Sequence, residues 1–223
     1  MTTNLIHRVC AVVRTEGTGT LVWKMLRYIP LRLRLYVWLP LAYRLGLPTP
    51  LKLPDRTFLE RDVFGWLAAK PEVKRVLFAG IESYTWHYYR LLPDKAFFTI
   101  DISPQQEKWG RKGFHTVGSV TDLSRLYKPE SFDVVVMNGL IGWGLDKKDD
   151  INRSFHEAYN VLAKGGLLIV GWPNEPKYID FRLDELDGYA LFKPYVPKAL
   201  GLEQHRVEVS PWRRHTFDFL IKA

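Results

Sequence analysis

The stretch VLFAGIESYTW, residues 76–86, decides how this chain is read. Val76, Leu77, Phe78 and Ala79 form a short continuous apolar run, the pattern of a strand buried on both faces. Gly80 follows, and then Ile81, Glu82, Ser83, Tyr84 and Thr85. In open α/β sheets a nucleotide-containing ligand sits where a strand gives way to a glycine-rich turn and a helix. Here the turn keeps one glycine. It reads either as a cofactor turn of altered composition or as a plain strand-to-helix junction.

The surrounding pattern favours a sheet of that kind. Downstream of VLFAG, the runs KAFFTID (95–101), FHTVGS (114–119), SFDVVVMNG (131–139) and LLIVGW (167–172) read as four more strands. Helices are expected between them. TFLERDVFGWLAAK (57–70) carries Thr57 as a cap, YTWHYYRLLP (84–93) is stopped by proline, and PQQEKWGRKG (104–113) opens on proline. TDLSRLY (121–127) is a short helix, and the amphipathic 146–166 segment ends at Gly165. Alternating strands and helices imply parallel connections. EQHRVEVS (203–210) and HTFDFLIKA (215–223) are separated by PWRR alone, too short for a parallel crossover, so they form an antiparallel hairpin. The expected fold is a doubly wound, mostly parallel seven-stranded sheet closed by that hairpin.

The net charge of +8 is concentrated at one end. Residues 1–56 hold 9 Lys/Arg and 2 Asp/Glu, and the rest of the chain is nearly balanced at 23 and 22. The division expected is therefore a basic, aromatic-rich extension, 1–56, and an α/β domain, 57–223. A charge confined to one quarter argues against a specific nucleic-acid binder. Residues 21–46 interleave Lys24, Arg27, Arg32, Arg34 and Arg44 with Trp23, Tyr28, Tyr36, Trp38, Tyr43 and many leucines. That composition suits a cap over the domain, or a peripheral contact with anionic membrane. One cysteine, Cys10, excludes a disulfide framework, and the six histidines show no metal-ligand spacing. No apolar signal region is evident at the start, and a cytoplasmic location, with or without peripheral membrane contact, is expected.

Ligands in such sheets bind at the carboxyl ends of the strands. The first strand ends in Gly80, Ile81, Glu82, Tyr84 and Thr85; the second in Asp101 and Ile102; the third before Ser119 and Val120; the fourth in Asn138 and Gly139, with Trp143 in the glycine-rich NGLIGWGLD (138–146). Asp101, about 20 residues after the glycine turn, suits the hydroxyls of a ribose. Equally, Glu82 and Ser83 can act as helix caps, and Trp143 as a core side chain in a structural loop. Tyr84 or Trp86 can offer a ring face to a cation. His87 and His156 read as packing histidines, which leaves the catalytic group unassigned. The long segment 173–200 is placed to shape an acceptor site.

The series RVLFAG, FFTIDIS, FDVVVMNG and LAKGGLLIVGW with its closing hairpin resembles the class I S-adenosylmethionine-dependent methyltransferases over residues 57–223. The resemblance implies methyl transfer from S-adenosylmethionine to a small-molecule or lipid- or sugar-linked acceptor. It places the methionine end of the cofactor at Gly80, the ribose at Asp101, and the adenine beside Ser119 and Val120. Glu82 and Tyr84 stand where that family has further glycines, and Ser119 where it often has an acid. A non-catalytic binding protein on the same fold is the alternative; a nicotinamide-dependent oxidoreductase is disfavoured because GIESYT lacks G-x-G-x-x-G.

Overall fold

The computed structural model describes residues 37, 39–48 and 51–223. The chain divides into two units, Met1–Thr49 and Pro50–Ala223. The described part of the first is a short helix, Leu39–Arg44, and the turn after it, with Leu41, Tyr43, Leu45 and Leu47 exposed. Cys10 and most of the basic segment 21–46 lie outside the described residues, and with them the choice between cap and membrane contact. No helix among the described residues is long and apolar enough to cross a membrane.

The second unit is built on one eight-stranded sheet. Its strands are β1 (Arg75–Ala79), β2 (Ala96–Asp101), β3 (His115–Val117), β4 (Phe132–Asn138), β5 (Leu162–Pro173), β6 (Lys193–Pro194), β7 (Arg206–Ser210) and β8 (His215–Ile221). The order is β3-β2-β1-β4-β5-β8-β6, with β7 also on β8. The first five strands are parallel, and β8 runs antiparallel to β5, β6 and β7. This is the expected architecture, with the two-residue β6 as an additional strand. Because β1 pairs with both β2 and β4, successive connections leave it in opposite directions, and the crevice this opens lies at the carboxyl ends of β1 and β4.

Both faces of the sheet are buried, which is why the strands are apolar without alternation. Leu77, Ala79, Val135, Met137, Leu168 and Val170 pack to one side, under the helix Lys148–Val161 with its Ile151, Phe155 and Ala158. Val76, Phe78, Val134, Val136, Ile169, Phe217 and Phe219 pack to the other, against Leu59, Val63, Phe64 and Leu67.

The helical readings needed most correction. The segment 84–92 is not a helix. It is a turn followed by a 3-10 helix, Tyr88–Leu91, whose rings Trp86, His87 and Tyr88 go inward together. Aromatic burial from three consecutive positions is incompatible with a one-sided α-helical stripe. Residues 104–113 likewise give only the 3-10 helix Pro104–Trp109. The helical stretch expected from Thr57 begins at Pro54, with proline at the first helical position, where its missing N–H costs nothing. Thr57 is inside it and makes no capping bond. The long helix ends at Val161, and Gly165 lies within β5, where its N–H meets the Lys222 carbonyl.

Candidate cofactor site

A cavity of about 330 Å³ opens at the carboxyl ends of β1 to β4. Of the twelve residues expected at a site, eleven line it: Gly80, Ile81, Glu82, Tyr84, Asp101, Ile102, Ser119, Val120, Asn138, Gly139 and Trp143. Thr85 does not. It is buried, accepts the Glu82 N–H at 2.9 Å and donates to the Glu82 carbonyl at 3.1 Å, so it holds the turn's shape from behind.

Gly80 has φ +81°, and a Cβ there would come within 2.6 Å of Leu140 Cδ2. A side chain at this position is therefore opposed by both backbone and neighbour. Gly139, with φ +75°, leaves room for the Arg56 guanidinium, whose Nη2 would stand 3.1 Å from a Cβ. Asp101 joins two turns: Oδ2 accepts the Ile81 N–H at 3.0 Å and Oδ1 the Ser103 N–H at 2.8 Å. A carboxylate offers about four lone-pair sites, so two remain for a ligand. Ile102, 74% exposed beside it, presents an apolar side chain at the rim.

Ser119 caps the 3-10 turn Val120–Asp122 by accepting the Thr121 N–H at 3.2 Å. Asn138 places Oδ1 3.1 Å from His215 Nε2 and buries its Nδ2 with no protein partner. Trp143 stays 51% exposed, its ring stacked on Tyr178 at 5.8 Å with the Arg213 guanidinium 4.1 Å from its centre.

The cations that meet the two candidate aromatic rings come from the protein itself. Arg56 lies over Tyr84 at 5.2 Å, and Arg90 over Trp86 at 4.6 Å. Arg56, Gln106, Leu140 and Leu145 are lining residues that sequence reasoning did not find. No motif marks Arg56 in LPDR; only its place immediately before the α/β unit offered a signal. Gln106 donates to Glu82 Oε1 at 2.9 Å.

His87 is buried beside Trp86 and Tyr88, as expected of a packing histidine, and His156 does not line the cavity. Burial pushes both His87 and His215 down to about 4. Both are neutral in the fold at pH 7, whereas an unfolded histidine gains a proton below about pH 6.5. Stability is therefore expected to fall as pH drops from about 6.5 to about 4, and to stop falling through these groups below that. Urea unfolding at a series of pH values checks this; a midpoint unchanged between pH 7 and pH 4.5 would contradict it.

A methyltransferase-domain family model matches residues 79–170, from the end of β1 into β5. The N-methyltransferase NodS from Bradyrhizobium japonicum WM9, solved with S-adenosyl-L-homocysteine, shares the fold with TM-score 0.58 at 12% identity, over 77% of this chain and 89% of that one. The PH0226 protein from Pyrococcus horikoshii OT3 does so with TM-score 0.51 at 16% identity, over 75% and 90%. No curated protein matches the sequence. The domain match and the shared sheet agree with the expected resemblance to the class I S-adenosylmethionine-dependent methyltransferases: residues 79–170 match a methyltransferase domain, whose cofactor is S-adenosylmethionine, on a sheet of that fold.

Proposed function

We propose that this protein binds S-adenosylmethionine in the cavity at the ends of β1 to β4 and methylates a small molecule admitted past Trp143. The polar groups present fit such a ligand. The two free lone-pair sites of Asp101 suit ribose hydroxyls, the unpartnered Asn138 Nδ2 suits an acceptor atom, and Ile102 and Val120 suit the faces of an adenine. Bound there, the cofactor supplies an electrophilic methyl group on sulfur.

The observation that carries the acceptor reading is the rim. Trp143, Tyr178 and Arg213 form an open stacked surface, drawn from the turn after β4, the segment after β5 and the β7–β8 turn. Exposed aromatic faces with a cation suit a planar or sugar-like acceptor. A cavity near 330 Å³ is at the lower end for small-molecule sites, which leaves the acceptor at this mouth.

No lining residue is assigned as a base. Asp101 is held by two backbone N–H groups, Glu82 is bonded to Gln106, and burial raises the Tyr84 phenol, which keeps it protonated. The chain's contribution is alignment of acceptor and methyl carbon, which supplies much of the acceleration in such transfers.

Calorimetry with S-adenosylhomocysteine and NAD tests the cofactor: the first binds and the second does not. Methyl transfer to a panel of small acceptors tests the substrate class. With a working acceptor, Trp143→Ala is expected to raise KM by about tenfold, the scale of one aromatic contact, with kcat changed far less. An unchanged KM would remove the rim from the acceptor site.

A further inference from the structure

Four backbone donors of the turn after β1, those of Gly80, Ile81, Glu82 and Thr85, are engaged. The Gly80 N–H meets the Ile100 carbonyl at 3.0 Å and the Ile81 N–H meets Asp101 at 3.0 Å. The Glu82 N–H meets Thr85 Oγ1 at 2.9 Å, and the Thr85 N–H meets the Glu82 carbonyl at 2.9 Å. No α-helix follows whose first turn would offer others. A ligand carboxylate arriving here meets few backbone donors in this turn, and a charged side-chain donor would hold it more strongly.

Arg56 is the only basic side chain among the described residues that line the cavity. Its side chain is 11% exposed, and its guanidinium lies between the Tyr84 ring and the Gly139 backbone. Burial works against its charge, but Tyr88, Tyr84 and Asp55 outweigh that and hold it protonated. Asp55 approaches Nε at 3.4 Å, too long for a good hydrogen bond; the other nearby acid, Glu60, has its pKa raised by burial. A guanidinium carries five donors in a planar fork that matches a carboxylate.

We infer that Arg56 takes the carboxylate at the methionine end of the cofactor, in place of the Gly80, Ile81, Glu82 and Thr85 N–H groups that the β1 turn has used elsewhere. Tyr84 then acts on the cofactor through Arg56, as the surface that fixes the guanidinium plane. This rests on the cofactor site proposed above.

The test compares S-adenosylhomocysteine with 5′-methylthioadenosine, which keeps the nucleoside and lacks the amino-acid end. Binding of both to the full chain is measured by calorimetry for wild type, Arg56→Met and Arg56→Lys. Arg56→Met is expected to lose about 10- to 100-fold in affinity for S-adenosylhomocysteine, the scale of a charged hydrogen bond, while methylthioadenosine binding is unchanged. Arg56→Lys falls between, since it keeps the charge and loses the fork. Unchanged methylthioadenosine binding also shows that the variant is folded. Three results overturn the assignment while leaving the cofactor site in place: equal S-adenosylhomocysteine affinity in wild type and Arg56→Met, as an Arg56 reserved for an acidic acceptor would give; wild type binding both ligands equally; or both ligands weakened by the same factor in both variants. Wild type binding neither ligand overturns the cofactor site itself, and this inference with it.

Discussion

Asp101→Ala is expected to weaken S-adenosylhomocysteine binding by about 10- to 100-fold and to destabilise the free protein by about 1–3 kcal/mol. The first effect follows from the lone pairs left for ribose hydroxyls. The second follows from bonds present without any ligand: Asp101 accepts the Ile81 N–H and the Ser103 N–H, and its removal leaves both donors without it. From the sequence alone this substitution looks nearly neutral for stability, because a loop acid at a ligand site contributes mainly when the ligand is present. The structure shows instead a carboxylate that sets the separation of the turns after β1 and β2. Urea unfolding and calorimetry together separate the two effects. A variant as stable as wild type would show that the turns hold themselves, and one that binds equally well would remove Asp101 from the ribose site.

Arg206→Met is expected to cost about 3–5 kcal/mol, the range for breaking a buried ion pair from one side. Asp218 is 0% exposed in the middle of β8. Its two oxygens accept from Arg206 Nε and Nη2, both at 2.7 Å, and one also accepts from the Tyr189 hydroxyl at 3.1 Å. Without the guanidinium the carboxylate stays buried with a phenol alone. The double variant Arg206→Met, Asp218→Leu is expected to recover most of the loss, because the cost lies in the stranded charge. A single variant within about 1 kcal/mol of wild type in urea unfolding would sink this reading. The pair matters beyond stability: it joins β7, β8 and the helix Asp187–Ala190, and so holds the C-terminal hairpin that carries Arg213 to the cavity rim.

How far the sequence could be read depends on what each residue does. VLFAG, FFTID and DVVVM are strands in any context that buries both faces, and the four-residue PWRR link permits only a hairpin, so the sheet was legible. Aromatic residues in WHYY pack inward from consecutive positions, and no helical period describes that. Asp101 was visible because its place follows from the strand before it. Arg56 was not, because its position in the cavity depends on the fold of Pro54–Thr57 against Gly139, a contact across 83 residues that no local pattern encodes. The turn IESYT was half legible. Its missing glycines are visible in the sequence, but the bonds that engage the Ile81, Glu82 and Thr85 N–H groups appear only once Asp101 meets the turn and Thr85 folds back on Glu82.

A crystal structure of the protein with S-adenosylhomocysteine tests the account most directly. The prediction is one molecule in the cavity, its ribose hydroxyls within hydrogen-bond distance of Asp101 and its adenine against Ile102 and Val120. A ligand bound elsewhere on the protein, or no ligand at a saturating concentration, would contradict it.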